Sequence, residues 1–147
     1  MRILVVNGPN LNLLGQREPE IYGLQTLADI EVLIRNRADE LGVDIEFFQS
    51  NHEGQLIDAI QEHSGWDGLI INAGALTHTS LAIPDAVTST GILTVEVHIT
   101  NVHAREEFRH RSFLSPIVWG QVVGFGYRGY LAALDLLHQR LTEGDME

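Results

Sequence analysis

Short apolar runs alternate with amphipathic stretches along the whole chain. Five of these runs have the length of strands and are bounded by turn residues, and they cover residues 2–7, 43–48, 67–73, 92–97 and 117–124. Apolar positions recur with a helical period at about 26–41, 54–64, 78–90 and 128–141. The pattern therefore predicts strands and helices in alternation.

The first long helix has clear signals at both ends. Thr26 is followed three residues later by Asp29, which is the spacing of a capping box. Gly42 stands where a helix commonly ends with a glycine in the left-handed conformation. We therefore expect this helix to begin after Thr26 and to end at Gly42.

Alternating strands and helices indicate a parallel sheet that is covered by helices on both faces. Five strands predict a flavodoxin-like, doubly wound α/β fold, and 147 residues suit a single domain over residues 1–147. The acidic tail, about 142–147, is expected to fray. In such sheets ligands bind beyond the carboxyl ends of the strands, so the residues just past those ends are the candidates for function.

Composition excludes several classes of partner and reaction. A net charge of −11 and a pI near 4.9 argue against nucleic acid or an anionic membrane surface. All nine basic residues are Arg, so no lysine is present to form an imine with a carbonyl substrate. The absence of Cys excludes disulfides and thiolate zinc sites. No apolar stretch approaches the length that spans a bilayer, and the start is too weakly apolar for a signal peptide, so we expect a cytoplasmic protein.

Polar residues follow the strands that should end at one edge of the sheet. The segments are NGPNLNLLGQREPEIYG, NAGALTHTS, HITNVHAREEFRHR and GFGYRGY. We expect the polar side chains to face one crevice, and they are Asn7, Asn10, Asn12, Asn72, His78, His98, Arg105 and Arg109. An acidic chain would then carry a neutral-to-basic pocket.

The connection over residues 8–24 is far longer than the two to six residues usual for a strand-to-helix link, which is typical of a lid or a binding loop. Each of the other segments also has an ordinary interpretation. Asn-Gly-Pro-Asn is common turn chemistry, and Thr77 or Thr79 could simply cap a helix. GFGYRG matches a dinucleotide-binding pattern, but no later strand unit follows it, so we expect only a tight turn into the last helix.

Residues 96–111 contain many histidine, arginine and glutamate side chains close together. Side chains two apart in a strand share a face, so Glu96 lies beside His98, where it would fix the imidazole tautomer and favour its protonated form. His98 is thus a candidate acid. We expect a helix to begin near residues 100–101, where free N–H groups can hold a carboxylate, and to place Arg105 and Arg109 on one face.

A metal site is the competing interpretation of the same segment. Glu96, His98, His103 and His110 are all possible ligands, but their spacing matches no recognised zinc pattern, so we expect no metal. A metal-dependent hydrolase remains the enzymatic alternative. A flavin or phosphate-binding module is a third possibility, although Pro9 and its neighbouring asparagines make a poor phosphate cradle.

Several segments together resemble the type II 3-dehydroquinate dehydratases. They are NGPNLNLLGQREPEIYG, FFQSNHEG, INAGALTHTS and EVHITNVHAREEFRHRS with the closing glycine-rich turn, in order over about residues 3–135. The resemblance implies a flavodoxin-like subunit, and an anti elimination of water from 3-dehydroquinate that gives 3-dehydroshikimate without a cofactor. It also implies a homododecamer of four trimers, serving the shikimate pathway or quinate catabolism.

The resemblance also implies roles for individual residues. Tyr22 would be the base, Arg17 its activating partner and His98, supported by Glu96, the acid, while Asn12 would position a water against the enolate. The substrate carboxylate would be bound by Asn72 and the Ile99–Thr100 segment. Hydroxyl groups of the substrate would contact His78 and Arg109, and Asp85 would reach a neighbouring subunit's site. Thr100 replaces an expected Ser, and Leu76 an aromatic residue that is frequent beside His78.

Overall fold

A computed structural model describes residues 1–144 and has five strands with helices between them. The strands are β1 (Arg2–Asn7), β2 (Asp44–Gln49), β3 (Gly68–Asn72), β4 (Leu93–His98) and β5 (Gly120–Val123). The α-helices are α1 (Pro19–Tyr22), α2 (Leu27–Leu41), α3 (Glu53–Glu62), α4 (Ala82–Thr90) and α5 (Arg128–Glu143). Single 3-10 turns lie at Leu11–Leu13, Gly74–His78, Val102–Ala104 and Glu107–Arg109.

All strand pairs are parallel, and the strand order is β2-β1-β3-β4-β5. The predicted flavodoxin-like sheet is confirmed. The order reverses between β1 and β3, whose last residues, Asn7 and Asn72, are paired in register. The carboxyl ends of these strands therefore meet at the point where this class of fold binds ligands.

Alternate residues of each strand face opposite layers of helices. Ile3 and Val5 of β1 belong to one buried cluster, together with apolar residues of α2 and α5. Leu4 and Val6 belong to the other, which is completed by α3 and α4. Burial on both faces explains why the central strands read as continuous apolar runs rather than as alternating patterns.

The long second helix confirms its predicted ends. The Thr26 hydroxyl accepts a hydrogen bond from the Asp29 N–H, and the Asp29 carboxylate accepts one from the Thr26 N–H. Gly42 ends the helix with a φ of 71°. The GFGYRG segment likewise turns through Gly124 and Gly126, both with positive φ, before α5 begins.

Most element bounds lie within two residues of the prediction, and the starts of β5 and of the fourth helix differ by more. Residues 117–119 precede β5 because the Ile117 and Val118 N–H groups turn back to the Leu114 carbonyl. The fourth helix begins at Ala82 rather than near residue 78, after the 3-10 turn Gly74–His78. The last helix extends through Glu143, which includes two residues of the tail expected to fray, and residues 145–147 lie outside the described part.

Gly8 allows the ends of β1 and β3 to approach closely. Its N–H donates to the Asn72 carbonyl at 2.8 Å, and a Cβ at this position would lie 2.4 Å from the Ala73 carbonyl oxygen. Only glycine fits without moving the backbone. The same contact sets the start of the long loop over residues 8–24.

Candidate active site

A cavity lies beyond the carboxyl ends of β1, β3 and β4. Its wall is formed by Pro9, Asn10, Leu11, Arg17, Tyr22, Asn72, Gly74, Ala75, His78, His98, Ile99, Thr100, Val102, Arg105 and Arg109. Most of the side chains that were predicted from the sequence to face one crevice line this cavity. Three of the nine arginines contribute to this wall, so an acidic chain has a locally basic cavity.

The long loop is built from short ordered pieces. Asn10, with a φ of 69°, precedes the turn Leu11–Leu13, and its N–H donates to the Asn51 side chain at 2.9 Å. Glu18, with a φ of 40°, precedes α1, which Gly23 ends. The left-handed residues reverse the chain, and α1 then brings Tyr22 to the cavity while Arg17 stands just before it.

Two guanidinium groups flank the Tyr22 ring. The Arg17 Cζ lies 5.0 Å from the ring centroid and the Arg105 Cζ lies 5.2 Å from it. Arg105 Nη1 also donates a hydrogen bond to the Tyr22 hydroxyl at 2.9 Å, and it contacts Thr100 Oγ1 at 3.4 Å. A cation at this position stabilises negative charge on the phenol oxygen.

Glu96 and His98 form the pair expected from their strand spacing. His98 Nε2 lies 2.5 Å from Glu96 Oε2, and Glu96 is fully buried. Because Nε2 faces the carboxylate and His98 lines the cavity, Nδ1 is the ring nitrogen left for a ligand. The carboxylate thereby sets both the tautomer and the orientation of the imidazole.

Glu96 has two further donors besides His98. Ser112 Oγ donates to Glu96 Oε2 at 2.7 Å, and Gln121 Nε2 donates to Oε1 at 2.8 Å from the paired position on β5. Burial by itself raises the pKa of the Glu96 carboxyl, but the hydrogen bonds and the charge of His98 outweigh it, so the net pKa is lowered. A buried carboxylate is thus held ionised beside the imidazole.

His78 is held as a neutral imidazole. Its Nδ1 lies 2.7 Å from the Arg111 carbonyl oxygen, so Nδ1 carries the proton and Nε2 is the acceptor. Burial lowers the pKa of His78, and the positive charges of His98 and Arg109 lower it further. The His78 ring stacks 6.4 Å from that of His98. His78 can therefore accept a hydrogen bond from a ligand hydroxyl.

Asn72 is fixed by a buried hydrogen-bond chain. Its Nδ2 donates to the Tyr130 hydroxyl at 2.9 Å, and that hydroxyl donates to Asn7 Oδ1 at 2.6 Å. Asn72 Oδ1 accepts from the Gly74 N–H at 3.1 Å. Asn7 therefore supports the cavity from behind and does not line it, although its position after β1 predicted that it would face the crevice.

The prediction of a helix near residues 100–111 is wrong. Two separate 3-10 turns replace it, and Arg105 between them is extended. The Asn101 side chain caps the first turn by accepting from the His103 N–H at 3.1 Å, and the Arg105 carbonyl lies 3.0 Å from His110 Nε2 instead of accepting an intrahelical bond. Arg105 and Arg109 nevertheless both reach the cavity.

Within residues 1–144, no group of three or more His, Cys, Asp or Glu side chains is arranged to hold a metal ion. None of the helices described there is long and apolar enough to cross a membrane. The cavity instead offers arginine, histidine and asparagine donors around a tyrosine, which suits an anionic, hydroxylated ligand.

Comparison with protein families gives a match along nearly the whole chain. A family model described as dehydroquinase class II matches residues 1–138. The chain belongs to the class II dehydroquinase family. The resemblance carried by the sequence motifs is thereby confirmed.

Dehydroquinases from other organisms align with the chain over almost all of their length. A 3-dehydroquinate dehydratase of Dinoroseobacter shibae is 59% identical over 146 residues, covering 99% of this chain and 97% of that protein. A catabolic 3-dehydroquinase of Podospora anserina is 51% identical and covers 98% of each chain. The crystal structure of a type II dehydroquinase from Butyrivibrio crossotus is 50% identical, with a TM-score of 0.92 over 93% of this chain and 97% of that one.

The dehydroquinase cavity receives most of the residues expected from the sequence. Tyr22, Arg17, His98, Asn72, His78, Ile99, Thr100 and Arg109 all line it, and Glu96 lies behind His98. Asn12 does not line it and is exposed, whereas Asn10 does. The structure therefore places Asn10, and not Asn12, at the cavity wall.

Two remaining positions lie away from this dehydroquinase cavity. Asp85 is exposed on α4, and its role at a neighbour's site stays a prediction. Leu76 packs against the buried cluster between the sheet and α3 and α4, so it does not form the cavity wall beside His78.

The sequence alone assigns no individual role to Asn10, Arg105 or Tyr130. Asn10 and Arg105 were directed to the crevice by their positions after strands, but spacing along irregular loops does not tell which arginine reaches the tyrosine hydroxyl. Tyr130 lies on the apolar face of an amphipathic helix. The sequence pattern there predicts only that its ring packs in the core, and it does not indicate a partner for the hydroxyl.

Proposed function

We propose that Tyr22 removes a proton from 3-dehydroquinate and that His98 protonates the hydroxide that leaves. As a member of its family the chain is a type II 3-dehydroquinate dehydratase, a carbon–oxygen lyase. The observation that carries the mechanism is that the Tyr22 hydroxyl, bound by Arg105, and the carboxylate-supported His98 line one cavity.

The first step requires a base next to a carbon that is α to the substrate ketone. The Tyr22 phenolate takes this proton, and the electrons of the broken C–H bond pass into the ketone to form an enolate. Arg105 stabilises the phenolate through its hydrogen bond at 2.9 Å, and Arg17 adds positive charge beside the ring. The family resemblance implies that Arg17 is the partner that activates Tyr22. The hydrogen bond from Arg105 to the Tyr22 hydroxyl supports a shared role for the two arginines.

The enolate must be stabilised while it exists. We assign to Asn10, which lines the cavity, the placement of a water against the enolate oxygen that the family resemblance suggested for Asn12. A neutral hydrogen-bond donor suits this position because it stabilises the enolate without protonating it. The enolate route also agrees with the absence of lysine, which closes the alternative through an imine.

The second step breaks the bond between carbon and the leaving hydroxyl. Protonated His98 gives the Nδ1 proton to this oxygen, water departs, and the enolate electrons form the new carbon–carbon double bond of 3-dehydroshikimate. Glu96 stabilises the imidazolium before transfer and keeps Nδ1 directed to the cavity. The acid therefore lies on the rigid sheet, and the base lies on the loop.

The rest of the cavity binds the substrate. Asn72 and the Ile99–Thr100 segment contact the carboxylate, and the Nε2 acceptor of His78 together with Arg109 binds hydroxyl groups. The basic wall supports this assignment, because an acidic chain has collected three arginines around one small cavity.

We further propose that residues 1–147 form one catalytic domain of a cytoplasmic homododecamer, a tetramer of trimers, acting in the shikimate pathway or in quinate catabolism. Asp85, exposed on α4, would then complete a neighbouring subunit's site. Sedimentation of the wild type and of Asp85→Ala tests this: a monomeric wild type excludes the assembly, and unchanged mass with unchanged kinetics in the variant excludes the role of Asp85.

The test of the mechanism is Tyr22→Phe, with Tyr127→Phe as the matched control. Loss of a general base lowers kcat by about 10²–10⁴-fold, while KM changes little because the binding groups remain. Formation of 3-dehydroshikimate is followed by the ultraviolet absorbance of its conjugated enone, and circular dichroism checks folding. A folded Tyr22→Phe with kcat within tenfold of wild type would show that another group is the base.

A further inference from the structure

The hydroxyl of Tyr130 is a buried polar group that the proposed mechanism does not use. The side chain is fully buried, and its oxygen lies between Asn7 at the end of β1 and Asn72 at the end of β3. Burial raises the pKa of Tyr130, so the hydroxyl stays protonated throughout the working pH range. It therefore acts only as a hydrogen-bond donor and acceptor.

The direction of each hydrogen bond follows from the partners. Asn7 Oδ1 can only accept, so the Tyr130 hydroxyl donates its single proton there at 2.6 Å. Its oxygen is then left to accept from Asn72 Nδ2 at 2.9 Å. At the other side of the same carboxamide, Asn72 Oδ1 accepts from the Gly74 N–H at 3.1 Å.

These contacts determine what Asn72 offers to a ligand. One Nδ2–H is used by Tyr130 and the carbonyl oxygen is directed at Gly74, so the second Nδ2–H is the group available at the cavity, whose wall includes Asn72. A flipped carboxamide would place the NH₂ group against the Gly74 N–H and leave two donors facing each other. Asn72 therefore presents a donor, which suits a carboxylate oxygen.

We propose that Tyr130 is a positioning residue for substrate binding, whose hydroxyl holds the Asn72 carboxamide with an N–H directed to the substrate carboxylate. This inference rests on the proposed contact between Asn72 and that carboxylate. The two parts of the Tyr130 side chain then have different roles. The ring fills the core between α5 and the sheet, and the hydroxyl orients Asn72.

Tyr130→Phe keeps the ring and removes only the hydroxyl. Asn72 Nδ2 then loses its fixed partner, and the carboxamide gains freedom to rotate away from the substrate. We expect KM for 3-dehydroquinate to rise about 3- to 10-fold, the equivalent of one ordinary hydrogen bond. kcat should stay within about twofold, because a contact to the unreacting carboxylate is the same in the ground and transition states.

A double-mutant cycle separates this role from a structural one. Asn72→Ala should raise KM, and adding Tyr130→Phe to it should cause no further increase, because the group that the hydroxyl positions is already gone. Tyr127→Phe, the same chemical change just before the same helix, should leave KM unchanged. Thermal unfolding of each variant shows that it is folded at the assay temperature.

The outcomes distinguish the inference from the proposed function. An unchanged KM in Asn72→Ala overturns the assignment of Asn72 to the substrate and this proposal with it. A raised KM in Asn72→Ala, together with an unchanged KM in Tyr130→Phe or with purely additive effects, overturns the positioning role alone. If Tyr130→Phe does not fold, Asn7→Ala replaces it in the same cycle, since it removes the acceptor that orients the hydroxyl.

Discussion

Replacing Glu96 by glutamine tests the buried support of His98 at nearly constant shape. Glu96 accepts from His98 Nε2 at 2.5 Å, from Ser112 Oγ at 2.7 Å and from Gln121 Nε2 at 2.8 Å. In Glu96→Gln the amide oxygen can remain opposite His98 and Ser112. The amide nitrogen then faces Gln121, whose own carboxamide can rotate to accept. The hydrogen bonds are thus retained, and the negative charge is removed.

The magnitude follows from the change in one hydrogen bond. A hydrogen bond to a charged group contributes about 1.5–3 kcal/mol to stability, and a neutral one contributes about 0.5–1.5 kcal/mol. The His98 imidazolium therefore loses roughly 1–2 kcal/mol of stabilisation when Glu96 becomes glutamine. We therefore expect kcat of Glu96→Gln to fall about 5- to 30-fold near neutral pH, with a smaller change in KM. Initial rates from the enone absorbance, measured across a range of pH, give both constants.

Stability gives a second measurement on the same variant. The pKa of Glu96 is below its ordinary value of 4.5 in the fold, so its ionised form stabilises the native state above about pH 4.5 and this contribution is lost as pH falls through the lowered pKa. The difference in Tm between wild type and Glu96→Gln should therefore be largest near neutral pH and shrink in acid. Glu46→Gln, at a surface carboxylate that also pairs with a histidine, is the matched control. A folded Glu96→Gln with unchanged kcat at every pH would refute the support of His98 by Glu96.

Three further predictions follow from individual contacts. Arg105→Ala removes the donor to the Tyr22 hydroxyl and should lower kcat about 10- to 150-fold with a smaller change in KM; a kcat within twofold of wild type would exclude that contact from catalysis. The pKa of His63 is raised, because contacts with the Glu46 carboxylate and the Ala59 carbonyl outweigh the opposing effect of burial. Its contribution to stability is present below about pH 6.5 and lost as pH rises through the raised pKa, so the destabilisation of His63→Gln in urea should be greater at pH 6 than at pH 9, and an equal loss at both would contradict the ion pair. Gly8→Ala places a Cβ 2.4 Å from the Ala73 carbonyl oxygen and should destabilise the fold by about 1–3 kcal/mol in urea unfolding, whereas an unchanged midpoint would mean that the backbone yields freely.

The sheet could be predicted because its signals are local and repeat. Five apolar runs separated by helical periods have few arrangements other than a parallel sheet, and capping residues such as Thr26 and Gly42 fixed the ends of one helix. The pairing of Glu96 with His98 could be predicted for the same reason, since the period of a strand places both side chains on one face.

The irregular segments could not be predicted in this way. The segment that carries Arg105 and Arg109 looks helical by spacing, but its backbone hydrogen bonds form two separate 3-10 turns. Side-chain contacts from Asn101 and His110 accompany these turns. The cavity position of Asn10 has a similar origin, because the left-handed Asn10 begins a short 3-10 turn whose conformation neither a strand nor a helix period reports. Such choices depend on tertiary contacts that no local period reports.

The hydrogen-bond chain through Tyr130 has a consequence for the newly synthesised protein. β1 leaves the ribosome first, but it lies between β2 and β3, and its terminal Asn7 is joined to Asn72 by a side chain that is translated much later. An incomplete chain that ends before α5 would have part of one apolar face of the sheet uncovered, because α2 alone would remain on that face. Completion of the cavity therefore waits until α5 can pack on the sheet, and a chain truncated before Arg128 should be cleaved by protease more readily than a chain that includes this helix.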